Sequence, residues 1–387
     1  MLTENQLPSF SKIETPFYYY DLQLLKTTIG ELKKESDQYG YDVHYAIKAN
    51  CNDRILELIK NSGLGADCVS GNEVLKAVEI GFAPEDIVFA GVGKSDKEIN
   101  IALAEKIFGF NCESQQELDV INGLAAKKQM QANVSLRINP NVDAGTHKNI
   151  TTGLEENKFG INLWELDEVI DKVRSADNLN LIGLHFHIGS QITDLDRYLH
   201  LCQKVNEINQ GFIDKGFQLE HINMGGGLGI DYEDPLTNTI PDFKTYFQIF
   251  NKNLALLPNQ KVHFELGRAI VGQCGLLISR VLYEKVGRKR HFLILDAGMT
   301  ELMRPALYQA HHHIENLSAI GEDISTYDVV GPICETTDAF ARALALPKSK
   351  RGDMMAIYSA GAYGEVLKNK YNLRDEIKAI YSDDLSY

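Results

Sequence analysis

The chain has 387 residues, enough at roughly 150 per domain for two or three domains and a large core without disulfide or metal staples. Its apolar share of 44% and charged share of 24% are those of a soluble globular protein, which excludes a disordered chain. With 53 acidic against 39 basic side chains the net charge is -14, so polyphosphate is repelled and neither nucleic acid nor anionic membrane is an expected partner. The start, MLTENQLPSF, has neither a basic segment nor an apolar run, and no stretch of about 18 apolar residues occurs, so a cytoplasmic location is expected.

A short strand-like run over 17–20 comes first. Apolar strand runs then alternate with helical segments. Strands are predicted over 43–48, 65–69, 87–90, 107–111, 134–139, 181–187, 219–224 and 262–266, with helical patterns over 53–61, 72–80, 114–126 and 194–215 among the segments between. Eight such units in about 250 residues have the dimensions of a closed (β/α)8 barrel, with a doubly wound open sheet as the alternative. Beyond residue 271 the texture changes, and 275–284, 291–296, 326–330 and 353–358 read as strands without long helices. The expected organisation is a barrel over 22–270 and a β-rich domain built from 1–21 with 271–387, the early strand having no place among the eight.

The six cysteines show no CxxC spacing and are expected as free thiols. His311, His312 and His313 suggest a metal, but consecutive side chains diverge along a segment and cannot easily grip one ion; none is expected.

Barrel enzymes carry their chemistry at the carboxyl ends of the strands. In HYAIKAN, alternation puts His44, Ala46 and Lys48 on one face, so Lys48 is expected to end a strand pointing inward. It can snorkel to the rim, or act as a partly desolvated, nucleophilic lysine. Asp67, Arg137, His187, Ser190, Glu265 and Arg268 fall at other strand ends. So many polar groups at one end would leave several unpaired unless a polar ligand meets them or the rim is solvated. The run Gly225-Gly226-Gly227 follows the seventh strand, where barrels often bind phosphate through backbone N–H groups, although a glycine run can also be a plain tight turn. GVGKS from Gly91 lacks the upstream glycine of a P-loop, and GGGLGI lacks the third glycine of a dinucleotide fingerprint. In the second domain DAGM, MRPALY, GPICETTD and SAGAYGE combine turn residues with reactive or charged ones. Read alone, Cys334 fits a buried apolar thiol as well as a proton donor.

Taken together, HYAIKAN, GADCVSGNE, KFGI, GLHFHIGSQI, GGGLGI, DAGM, RPALY and GPICE, in that order over nearly the whole chain, resemble the pyridoxal-phosphate-dependent decarboxylases with an alanine-racemase-like barrel, the Orn/Lys/Arg class II family. HIGSQ with RPALY and CE is most similar to the diaminopimelate branch. The resemblance implies a pyridoxal 5'-phosphate carried covalently by Lys48, with Glu265 at the ring nitrogen, His187 stacked on the ring, and Asp67 and Arg137 lining it. It places Ser190, Gly225, Gly226, Gly227 and Tyr363 at the phosphate, with Gly267 and Arg268 also beside the cofactor. Arg268, Arg304 and Tyr308 would hold the distal carboxylate of the substrate, and Glu335 with Tyr363 its amino-acid end. Cys334 would supply a proton after carbon dioxide leaves, from a second subunit, which implies a homodimer. The implied reaction is decarboxylation of meso-2,6-diaminopimelate to L-lysine, the last step of lysine biosynthesis. The rivals are a related decarboxylase of ornithine, arginine or carboxynorspermidine and a non-catalytic pyridoxal-phosphate-binding homologue. One departure is ELGR where the wider family has EPGR, which predicts a looser turn at Leu266. Another is an abbreviated chain after the KYN run at Lys370, which puts the edge of the β-rich domain in doubt.

Overall fold

The computed structural model of the protein describes residues 7–145, 157–321 and 323–385. Two compact units emerge: Ile29–Gly229 with Asp242–Gly267, and Met1–Thr28 with Ile230–Pro241 and Arg268–Tyr387.

Strand β1 (Phe17–Tyr20) belongs to the second unit, and all four of its aromatic side chains are buried. The first unit is a closed barrel of eight parallel strands: β2 (Asp42–Ala46), β3 (Gly65–Cys68), β4 (Ile87–Phe89), β5 (Gly109–Cys112), β6 (Ala132–Arg137), β7 (Leu179–His185), β8 (His221–Asn223) and β9 (Lys261–Leu266). Closure is made by β2 on β9, with Asp42 opposite His263 and Tyr45 opposite Leu266, which excludes the open sheet. The turn from strand into helix is set by caps: Asn52, Ser70, Ser95 and Ser114 each accept from a backbone N–H of the following helix. Leu266 continues β9 with a buried side chain where a proline could not donate to the ladder.

Inside the barrel, three imidazoles form a directed chain. His44 donates from Nδ1 to the Asp86 carbonyl at 3.0 Å, leaving Nε2 to accept from His263 Nδ1 at 3.1 Å; His263 Nε2 then accepts from His221 Nδ1 at 2.8 Å. His44 and His263 each supply one donor and one acceptor and so fit the chain as neutral imidazoles, while His221 supplies the donor that ends it.

The second unit is an eight-stranded sheet. Its further strands are β10 (Gly275–Val286), β11 (His291–Leu295), β12 (Ile314–Asn316), β13 (Ile324–Val330), β14 (Ala339–Pro347), β15 (Met354–Ile357) and β16 (Ala379–Tyr381). Their order is β12-β15-β10-β11-β13-β14, and β1 pairs with both β10 and β16. The early strand is thus recruited into the β-rich sheet, over a core of Phe10, Phe17, Tyr19, Leu276, Ile278, Met354, Ala356 and Tyr358. Past the KYN run the chain still supplies a strand, β16, which runs parallel to β1 with Tyr20 opposite Tyr381. No helix of the described residues is long and apolar enough to cross a membrane, and all six cysteines are free thiols.

Candidate active site

Strand β2 leaves its ladder at Ala46, so Lys48 does not end a strand as expected: it sits on the 3-10 turn Ile47–Ala49. Its side chain is one third exposed, and its Nζ lies 2.5 Å from Oδ2 of the fully buried Asp67 on β3. Among the described residues, Oδ1 of Asp67 has no hydrogen-bond partner. Burial raises the Asp67 carboxyl above its ordinary value and the charge of Glu265 adds to this, while Lys48 opposes both.

Glu265, on β9, is 5% exposed. Its Oε1 accepts from the side-chain amides of Asn111 at 2.9 Å and Asn223 at 2.8 Å, and its Oε2 from His185 Nε2 at 2.9 Å. Burial alone would raise its pKa, but the histidine and the charge of Lys48 outweigh it and hold Glu265 below the usual carboxylate range. It is an anion fixed in place by three donors. The sequence reading named only the second histidine of HFH, yet His185 is the one that holds Glu265. His187 is half-buried, and its Nδ1 accepts from the Gly226 N–H at 3.3 Å. Burial, then the charges of Arg137 and Lys48, push its pKa well down, so the ring is neutral.

Arg137 ends β6, where it donates to Glu113 at 2.9 Å and lies 4.7 Å from the Phe159 ring centre. Glu113 also accepts from the backbone of Gly91 and Gly160 at 2.9 and 3.0 Å, so this pair ties three strand-end segments together. Glu73, also unforeseen, accepts from the Val69 N–H, and burial pushes its carboxyl up to about 7. The glycine run is demanded by the protein's own backbone: a Cβ at Gly225, Gly226 or Gly227 would strike the carbonyl of Phe186, Glu265 or Gly189 respectively. Gly225 and Gly227 also take φ of +66° and +100°. Ser190, next to Gly189, is half-buried, and Gly267 lies so near Ala46 and Ala49 that no larger residue fits.

The remaining predicted residues lie in the second unit. Arg268 donates to the Tyr232 hydroxyl at 2.6 Å, with its guanidinium 4.8 Å from the Tyr363 ring centre. Arg304, 5% exposed, lies 4.5 Å from the Tyr232 ring centre and donates to His312 Nε2 at 2.8 Å. Tyr232 comes from the short segment Ile230–Pro241 and was not foreseen. Tyr363 is half-buried with a left-handed φ of 56°, a conformation non-glycine residues adopt mainly where the surroundings demand it. Tyr308 is half-buried at the end of the helix Arg304–Tyr308. Cys334 and Glu335 are both exposed, which removes the buried-thiol reading. Their loop is pinned by Asp338, whose carboxylate accepts from the backbone of Ile333 at 2.7 Å and Met299 at 2.6 Å. The Tyr371 hydroxyl donates to Glu335 at 2.8 Å, and Asn372 accepts from the Cys334 N–H at 3.2 Å. The three consecutive histidines diverge: His311 faces Glu233, His313 faces Glu315, and His312 faces Arg304. Among the described residues no group of three or more ligands could hold a metal ion.

Residues 25–272 match the model of a pyridoxal-dependent decarboxylase, pyridoxal binding domain. The chain belongs to this decarboxylase family. It is 54% identical over 380 residues to a diaminopimelate decarboxylase of Bacteroides thetaiotaomicron, covering 98% of both chains. A crystal structure of diaminopimelate decarboxylase from Helicobacter pylori with L-lysine superposes with a TM-score of 0.92 at 39% identity, covering 98% of this chain and 95% of that one. The M. jannaschii enzyme with L-lysine gives 0.89 at 32% identity, over 97% and 89%. The barrel's residues fit the cofactor that the family uses. The barrel carries an amine that is one third exposed, a buried carboxylate held as an anion by three donors, and, among the described residues, a buried Asp67 oxygen without a donor.

Proposed function

We propose that the chain decarboxylates meso-diaminopimelate at its D-centre, releasing L-lysine and carbon dioxide in the last step of lysine biosynthesis. For the reaction class, the observation that carries the reading is Glu265, an anion held by Asn111, Asn223 and His185. Pyridoxal phosphate, when bound, supplies the electron sink for the pair left behind by carbon dioxide. Lys48 would hold it covalently, with Asp67 orienting the amine. Glu265 would keep a proton on the ring nitrogen, because a fixed anion favours the cationic ring. His187, neutral, would cover the ring face, and Arg137 would line the cofactor through its link to Glu113. Ser190, Gly225, Gly226, Gly227 and Tyr363 would hold the phosphate, with Gly267 and Arg268 beside it.

The substrate reading rests on two buried guanidiniums, Arg268 and Arg304. A distal carboxylate suits their planar forks, with Tyr308 alongside, whereas ornithine has no such group to offer. Glu335 and Tyr363 would read the ammonium at that end. Cys334 would donate the proton that replaces carbon dioxide. Its exposure beside Glu335 supports the reading that these two residues serve a second copy of the chain, in a cytoplasmic homodimer.

The visible spectrum of the purified protein, before and after meso-diaminopimelate, with carbon dioxide assayed in the same tube, tests the whole reading. A cofactor band that shifts with gas release is expected, and a band that shifts without gas would reject the decarboxylase. For Cys334→Ala, retained cofactor binding and a turnover slowed about 10²-fold or more are expected. Mixing inactive Lys48→Ala with slowed Cys334→Ala chains should raise the activity well above that of either alone if sites are shared, and no gain on mixing would reject sharing.

A further inference from the structure

We infer that His312 is a positioning residue for substrate, an acceptor that fixes the plane of Arg304 without neutralising its charge. This rests on the reading above that Arg304 binds the distal carboxylate.

His312 is 1% exposed. Its Nδ1 donates to the Tyr358 carbonyl at 2.8 Å, which leaves Nε2 as the lone-pair side, and that atom accepts from Arg304 at 2.8 Å. The tautomer is fixed by the backbone of Tyr358, so Nε2 is an acceptor by construction. Tyr232 completes the frame, its ring 4.5 Å from the Arg304 guanidinium and edge-on to the His312 ring at 5.1 Å. Among the described residues, no carboxylate stands within ion-pair distance of Arg304. Burial and the like charge of Arg268 both work against its cation. An aspartate or glutamate at position 312 would relieve that cost and would also occupy the fork that a substrate carboxylate needs. A neutral acceptor takes one of the five guanidinium donors and leaves the positive charge unspent. The middle histidine of the HHH run therefore has a task that a metal reading would miss.

The test uses holoenzyme and three variants: H312Q, which keeps a neutral acceptor, H312E, which keeps an acceptor and adds a charge, and H312L, which removes the acceptor. KM and kcat are measured with meso-diaminopimelate, and binding of L-lysine is followed by calorimetry. H312Q should raise KM by about threefold or less. H312L should raise it about 10- to 100-fold, the size of a lost hydrogen bond to a charged group, with kcat falling much less than KM rises. H312E should raise KM at least as far as H312L and weaken lysine binding in parallel, because the added carboxylate competes for Arg304. H312E binding substrate as well as H312Q would overturn the inference, and so would a fall in kcat with KM unmoved. If H312L fails to fold, the glutamine–glutamate pair decides alone. Absence of turnover in the unmodified enzyme would instead remove the substrate reading, and this inference with it; turnover with KM unmoved in all variants would sink the inference only.

Discussion

Glu265 in the barrel and Arg304 in the β-rich unit are ionic side chains buried to the same extent, each 5% exposed, and their surroundings treat them oppositely. Glu265 is met by three donors from three other strands, Asn111 on β5, His185 on β7 and Asn223 on β8. Arg304 is met by a neutral imidazole and an aromatic face. A buried charge surrounded by fixed dipoles is part of the fold and exerts its field whether or not anything is bound. A buried cation given no anionic partner among the described residues costs stability until an anion arrives, so its favourable interaction is left for a ligand. On the proposed function, the difference separates a group that would tune a cofactor from one that would recognise a substrate.

The largest effect is expected where compensation is removed. Glu265→Leu leaves three buried donors without an acceptor and should destabilise the protein by about 3–5 kcal/mol, seen as a fall in the urea midpoint. Glu265→Gln keeps the shape and loses the charge; it should fold and bind cofactor but release carbon dioxide about 10²- to 10³-fold more slowly. Wild-type turnover in the glutamine variant would show that the anion plays no part in the chemistry.

Arg304→Met should do the reverse. Removing an uncompensated cation should leave the urea midpoint unchanged or raise stability by about 1 kcal/mol, while KM for meso-diaminopimelate rises about 30-fold or more. A clear loss of stability would mean that Arg304 is compensated after all, and the contrast with Glu265 would collapse.

How much of this was legible follows from the same physics. The eight barrel strands stand out because parallel strands buried on both faces read as apolar runs, and all eight predicted runs overlap observed strands. Strand ends were read too long at Lys48 and His187, since polar residues there continue the alternation after the chain has left its ladder. In the β-rich unit, β14 escaped notice because AFARALALP has helical composition, and only its pairing with β13 makes it extended. β12 and β16 are three residues each, too short for a period to show. Lys48, Asp67, Glu265, Arg268 and Arg304 were named from the chain alone. Their supports were not, because a support is defined by a partner distant in sequence: His185 and Asn111 lie 80 and 154 positions from Glu265. Asn111 and Asn223 did carry a signal, being asparagines inside strands where that residue is disfavoured. Tyr232 carried none, since nothing in its short segment announces which unit it joins.

The smallest effect concerns a third way of handling burial, in which charge is kept out altogether. His263 shares a face of β9 with Glu265, lies between His44 and His221, and has Asp42 at 3.9 Å with Lys261 beside it in the strand. Burial, then the neighbouring histidines and Lys261, lower its pKa well below the ordinary histidine value, against a weaker opposing pull from Glu265. Because the folded pKa lies below the unfolded one, the unfolded chain binds more protons as pH falls below about 6.5, and stability present at neutral pH is lost on the acid side. On the acid side of that value His263 can remove at most about 1.4 kcal/mol per pH unit, and the half-buried His221, also lowered by burial, acts in the same direction. Urea midpoints at pH 7.5 and 5.5 should therefore differ more in the wild type than in His263→Gln, which cannot take up that proton. Equal differences would place the acid sensitivity elsewhere, and the neutral histidine chain would then be a packing feature without a share in the pH dependence.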